Sequence, residues 1–326
     1  MSNRKQEKRV YRTFNYPNSK SGDKTLLTGI RRVRKSSKLY ISGFYVPAQG
    51  TTTAFVYKGC LCGKGEFYNL NYPLANTVTN LYGPNNGADG DNIQVVGNYT
   101  NSNGIFGCLY QGPLNGSGNW ITITPTNAIN TICHSTMGNL VVGNYDTASD
   151  TTTSKAFIYD IKTGAYYNIT NLNAVGISAY GIWYNDCEKN YTICGGYTTT
   201  GNNFAYVVDW DNNTHLLGNW QIYSFDNNPV KSLDTHFNGI TGRKCGGYNL
   251  TGDWIGISLP SNELGFFATV ERKKNGQFRE KAKWSSVSYP KQLATSGNSV
   301  CDDIVIGVYT SIVNDVNGYV SDFKTH

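Results

Sequence analysis

Two histidines stand where a folded chain could use them for chemistry. His134 follows Cys133, and His236 lies two residues after Asp234. An imidazole beside a thiol or carboxylate can carry protons or ligate a metal. Both histidines fall on short apolar runs, 130–135 and 236–240, that read as strands. Four further residues, Thr28, Tyr82, Tyr180 and Asn238, each sit just before a glycine on comparable runs. Tyrosine and asparagine at such positions could stack on or hydrogen-bond a sugar or peptide. The plainer reading makes all six the polar wall of a wet channel. It is preferred because the two histidines are offset in register and no third strong ligand accompanies them. No metal, cofactor or catalytic residue is therefore assigned. Glycoside cleavage would need two converging carboxylates. Only Asp234 lies near such a run, and Asp89, Asp91, Asp186, Glu188, Asp302 and Asp303 fall in loops. Neither a glycine-rich phosphate loop nor a Gly-x-Ser-x-Gly elbow occurs.

Charge points to a surface rather than a pocket. Residues 1–38 hold twelve Lys/Arg and two acids, whereas the remaining 288 residues hold sixteen and twenty. Arg31, Arg32, Arg34, Lys35 and Lys38 form one basic run, and Arg272, Lys273 and Lys274 open a second. Such a patch attracts an anionic partner: nucleic acid, anionic lipid or an acidic protein. It lacks interleaved aromatics, so base-specific reading is not expected. Asp302 and Asp303 would dilute it, and a merely solubilising surface is the competing reading.

These residues must be positioned by a repeat. Gly-x-Tyr recurs at Gly43, Gly97, Gly143, Gly195, Gly246 and Gly307, with gaps of 54, 46, 52, 51 and 61 residues. Each closes a short apolar run. A period near fifty built of short strands predicts an all-β, six-bladed β-propeller with four antiparallel strands per blade. The last unit lacks its outer strand, and residues 9–17 resemble the outer strands of the other units. They are expected to complete the C-terminal blade and close the ring, leaving 1–8 as a basic tail and 9–326 as one domain. In that arrangement the runs 31–38 and 271–283 share a face. The Gly-x-Tyr tyrosines recur in every unit, which argues for a structural role over a ligand platform.

The wording of the repeat, an apolar run ending in Gly-x-Tyr and then a strand such as Ala156-Phe157-Ile158-Tyr159, resembles HAF-type extracellular repeats. The resemblance covers about residues 25–323 and implies a propeller-like fold without implying one chemistry. The sialidase box, the paired motifs of WD repeats and the kelch series are missing.

No run of about eighteen apolar residues predicts a membrane span, and the N-terminus lacks the apolar core of a secretory signal. Eight cysteines are read as small, buried, reduced residues, with Cys194 and Cys245 at equivalent repeat positions. The chain is accordingly read as intracellular or virion-associated. The expected function is a non-enzymatic binding or structural module, a component of a larger assembly, with an anionic or protein partner. A carbohydrate-active or other channel-site enzyme and a nucleic-acid or anionic-surface binder are the alternatives.

Overall fold

A computed structural model describes residues 10–74, 76–87, 92–185, 189–244, 246–257, 264–313 and 315–323. The expected tail 1–8, together with Arg9, Asp89, Asp91, Asp186, Glu188, Cys187, Cys245 and His326, lies outside them. Among the described residues the chain is all-β, its sole helical turn being Phe225–Asn227. None of its helices is long and apolar enough to cross a membrane.

Strands follow one another as antiparallel neighbours, because the turns between them carry residues suited to reversal. Gly63, Gly104, Gly164 and Gly276 take positive φ there. Lys24–Arg32, Leu39–Val46, Thr53–Gly59 and Gly65–Asn69 form one four-stranded sheet, and Gly176–Asn185 through Leu216–Tyr223 form another. The remaining strands form an eight-stranded and a nine-stranded sheet. Single parallel pairs, Asn130 with Ile105 and Leu264 with Thr295, join two strand groups within each.

Each group opens with a leading strand: Lys24–Arg32, Val78–Asn86, Ala128–Met137, Gly176–Asn185, Ser232–Gly242, and the split pair Ala294–Thr295 and Ser299–Cys301. Leading strands contact one another in chain order, and Ser299–Cys301 contacts both Ser232–Gly242 and Lys24–Arg32. The apolar core follows the same order. One buried cluster joins Tyr40 and Val56 to Leu81 and Val95, and another joins Phe237 and Phe266 to Cys194 and Val207. A third joins Leu27, Ile41 and Phe55 to Ile306 and Val320, so the first group packs on the last. Val10–Thr13 pairs antiparallel with Val316–Asp322, from Val10 opposite Asp322 to Thr13 opposite Tyr319. Asn15 extends the contact, donating to Asn317 at 2.7 Å and accepting from the Gly318 amide at 3.0 Å.

Two expectations need correction. In the fifth group, Gly246-Gly247-Tyr248 only begins its strand, which runs Tyr248–Gly256. The glycine equivalent to the others is Gly252, followed by Asp253 and Trp254, and the third strand is Leu264–Val270. Gly246 and Gly247 take positive φ in a turn, which is why glycines stand there. Nor are all the cysteines reduced: the turn after Thr53–Gly59 brings Cys60 and Cys62 together in a disulfide, whereas Cys108, Cys133, Cys194 and Cys301 are free and buried. The reduced-thiol argument for an intracellular protein therefore fails at this pair.

Candidate functional site

Every continuous leading strand carries a β-bulge. Its register skips Thr28, then Tyr82 with Gly83, His134, Tyr180 and Asn238 in successive strands. The sixth strand breaks at 296–298, which places Asn298 at the same position. A bulged residue loses its ladder partner and its side chain is re-aimed. Here the bulge explains the recurring glycine. A Cβ on Gly43, Gly97, Gly143, Gly195, Gly252 or Gly307 would lie far inside van der Waals contact of the carbonyl two residues before the bulge, from Leu26 O through Ser178 O to Ser296 O. Close approach, rather than unusual φ, demands glycine.

The bulged side chains tie each leading strand to the next. Thr28 Oγ1 donates to Leu81 O at 2.6 Å, Asn238 Nδ2 to Gly297 O at 3.2 Å, and Asn298 Nδ2 to Leu27 O at 2.7 Å. The other three meet ring against ring, edge to face. Ring centroids of Tyr82 and His134 lie 5.2 Å apart, and those of His134 and Tyr180 4.6 Å. Asn144 Nδ2 donates to His134 Nε2 at 3.1 Å, while Asn144 Oδ1 accepts the Ala179 amide. Enclosure pushes the His134 imidazole down to about 3 and the Tyr82 phenol up to about 12, because burial disfavours each charged form.

His236 stands apart from this row, two residues before the bulge at Asn238. Its Nδ1 faces Asp234 at 3.2 Å, and its Nε2 lies 3.9 Å from Asp253. Burial would raise the Asp234 carboxyl, but hydrogen bonds from His236 and Asn203 hold it below the usual range. Asp253 is buried and accepts Asn238 Nδ2 and the Gly297 amide, both at 2.7 Å. Asp253 and Asn298 were not anticipated from sequence. The signal for Asp253 was its place between Gly252 and Trp254, masked by the look-alike six residues earlier.

Residues from all six leading strands, including Thr28, His134, Tyr180, Asn238 and Ser299, line one central cavity of about 20 Å³. That admits a water-sized occupant, whereas small-molecule sites typically exceed about 300 Å³. His134, His236 and Asp234 do not meet around a common point: Tyr180 stands between the two imidazoles, 4.6 Å from one ring and 5.7 Å from the other. Among the described residues no group of three potential ligands has metal-binding geometry.

The basic residues divide. Arg272 is a structural cation: its Nη2 and Nη1 bind Asp209 at 2.6 and 2.9 Å, it donates to Thr192 and Tyr248, and it covers the Phe278 ring at 4.2 Å. Lys273 pairs with Glu280, and Arg32 with Asp302 at 2.6 Å. Arg31 is buried. Arg34, Lys35, Lys38 and Lys274 are exposed. The expected patch is thus thinner than the count of charges suggests.

The opposite end of the strands has another character. Of fifteen exposed large apolar residues described, eleven lie on connections into leading strands, at the starts of those strands, or beside second-to-third turns, among them Leu74, Leu172, Val175, Val230, Ile312 and Val313. Alternating strand direction puts all these connections on one end. A groove of about 360 Å³ opens there, lined by Tyr145, Lys155, Asn168, Asn171, Val175 and Ile177. Sequence reading did not find it.

No family model matches the chain, so the HAF-type resemblance gains no support from one, and no curated protein matches it. Among solved structures, it is similar to a thermostable family-43 glycoside hydrolase at 10% identity and TM-score 0.49, covering 85% of this chain and 98% of the other. The N11 neuraminidase-like protein of A/flat-faced bat/Peru is similar at 10% identity and TM-score 0.49, covering 97% and 94%. The Dos1 propeller is similar at 10% identity and TM-score 0.43, covering 90% and 77%.

Proposed function

We propose that residues 9–326 are one domain, a six-bladed propeller whose last blade is completed by Val10–Thr13, and that it is a non-enzymatic binding or structural module of a larger assembly. The ring reading draws support from the cyclic order of leading-strand contacts and from the cavity that all six strands line. The observation that carries the functional reading is the use of the central side chains. Thr28, Asn238 and Asn298 spend their hydrogen bonds on the next strand, and Tyr82, His134 and Tyr180 pack edge to face against one another. What remains is water-sized, so no substrate enters. Contact with partners then falls to the two ends. The end bearing Leu172, Val230 and Ile312 offers apolar area for a protein partner, and Arg34, Lys35, Lys38 and Lys274 leave the other end locally basic.

One observation favours the enzyme alternative: His236 lies between Asp234 and Asp253. The two readings separate in a glycoside panel followed by reducing-end release. No release is expected. Release that vanishes in Asp234→Asn and His236→Gln while both variants stay folded would overturn the proposal. Sedimentation velocity tests the docking end: concentration-dependent association is expected, and it should disappear in Leu172→Asp/Val230→Asp. A monomer at every concentration, unchanged by these substitutions, counts against docking among copies through that end.

A further inference from the structure

Arg31 closes the central cavity at the end nearest the 33–38 turn. Its side chain reaches from the first leading strand to the fourth, where its guanidinium lies 4.8 Å from the Trp183 ring centroid. The residue is 8% exposed. Neither Nε nor Nη1 has a hydrogen-bond partner among the described residues. Stacking on the indole face leaves those in-plane donors unused. Asp302 acts on Arg31 only through space and is bonded to the adjacent Arg32.

An arginine stays charged when buried, and a buried charge with unmade hydrogen bonds is costly unless something supplies the counter-charge. Among the described residues no carboxylate lines the cavity that Arg31 shares with Ser135, Ser299, Gly83 and Gly239. At about 20 Å³ the space excludes a sugar or a phosphate ester and admits a single small ion.

We propose that the central cavity is a binding site for one small inorganic anion of halide size, held by Arg31 Nε and Nη1. The hydroxyls of Ser135 and Ser299 are further donors on its lining. The anion neutralises the cation that spans the first and fourth leading strands, and so stabilises the centre of the fold. This site is independent of what docks on either end.

Two measurements on the intact chain test it. The first compares melting in sodium chloride or bromide with melting in sodium gluconate at equal ionic strength, gluconate being too large to enter. Halide should raise Tm by about 2 °C, and Arg31→Met should abolish the difference. Arg31→Lys, which keeps the charge but not the fork of donors, should keep a weaker response. The second is anomalous diffraction from crystals grown in bromide, with a peak expected in the cavity within hydrogen-bonding reach of Arg31. Equal melting in halide and gluconate, with water alone in the cavity, would falsify the proposal. Both wild-type results stand even if Arg31→Met does not fold.

Discussion

A Cβ on Gly252 would strike His236 O, and one on Gly195 would strike Ser178 O. Both atoms are backbone and belong to a bulge that cannot retreat without breaking the central row. Gly252→Ala and Gly195→Ala should each cost about 3 kcal/mol. Gly201→Ala, where a Cβ meets nothing within 4 Å, should stay within about 0.5 kcal/mol of wild type. Urea unfolding of the three variants checks the ordering. His134 supplies a pH test. Its imidazole falls from 6.5 to about 3 on folding, so between those values the unfolded chain binds more protons than the folded one. Stability must therefore rise with pH through that window and be lost as pH falls through it. His134→Gln, which keeps a partner for Asn144, should flatten the acid limb of a stability-against-pH curve. The central residues were legible because Thr28, Tyr82, Tyr180 and Asn238 announce themselves by the glycine that follows. Asn298 was not, since its strand is split and its neighbour is serine. Nor was the burial of Arg31, because a run of five cations reads as solvated surface, and only the fold decides which one turns inward.

Between elements, one joint recurs. Where a strand group ends and the next begins, the amides of Tyr16, Tyr72, Phe225 and Tyr289 donate to Thr25, Thr79, Thr235 and Thr295 Oγ1 at 2.9–3.1 Å. The same four rings stack on Tyr45, Tyr99, Trp254 and Tyr309, with centroids 3.8–4.7 Å apart. At Tyr45, Tyr99 and Tyr309 the Gly-x-Tyr tyrosine is thus a clasp between groups, and Trp254 takes that place in the fifth. Thr79→Val keeps the shape and removes the acceptor. It should cost about 1 kcal/mol, read as a shift in urea midpoint. Arg272 fixes a different joint, between the fourth and fifth groups. Removing it strands Asp209, so Arg272→Ala should cost about 3 kcal/mol, whereas Lys274→Ala, on an exposed side chain, should cost almost nothing. Sequence could not separate these neighbours, because the partner of Arg272 lies sixty-three residues away.

For the whole molecule, the period near fifty carried most of the architecture. It misplaced the fifth group, where Gly246-Gly247-Tyr248 copied the motif inside a turn. Deleting residues through Thr13 should bare the edge of Val316–Asp322, lower Tm and promote aggregation detectable by light scattering. A permuted chain opened between Thr198 and Asn203, with 10 and 322 joined by a linker, should melt near wild type. If the deletion melts like wild type and stays dispersed, the pairing of the two ends contributes nothing to stability. That pairing also imposes a timetable. Val10–Thr13 is made about three hundred residues before its partner, Val316–Asp322. At roughly 5–20 residues per second, about three hundred residues of synthesis separate them by tens of seconds. The nascent chain can lay down every other group as it emerges. Val10–Thr13 must wait, unmated, until Val316–Asp322 has emerged.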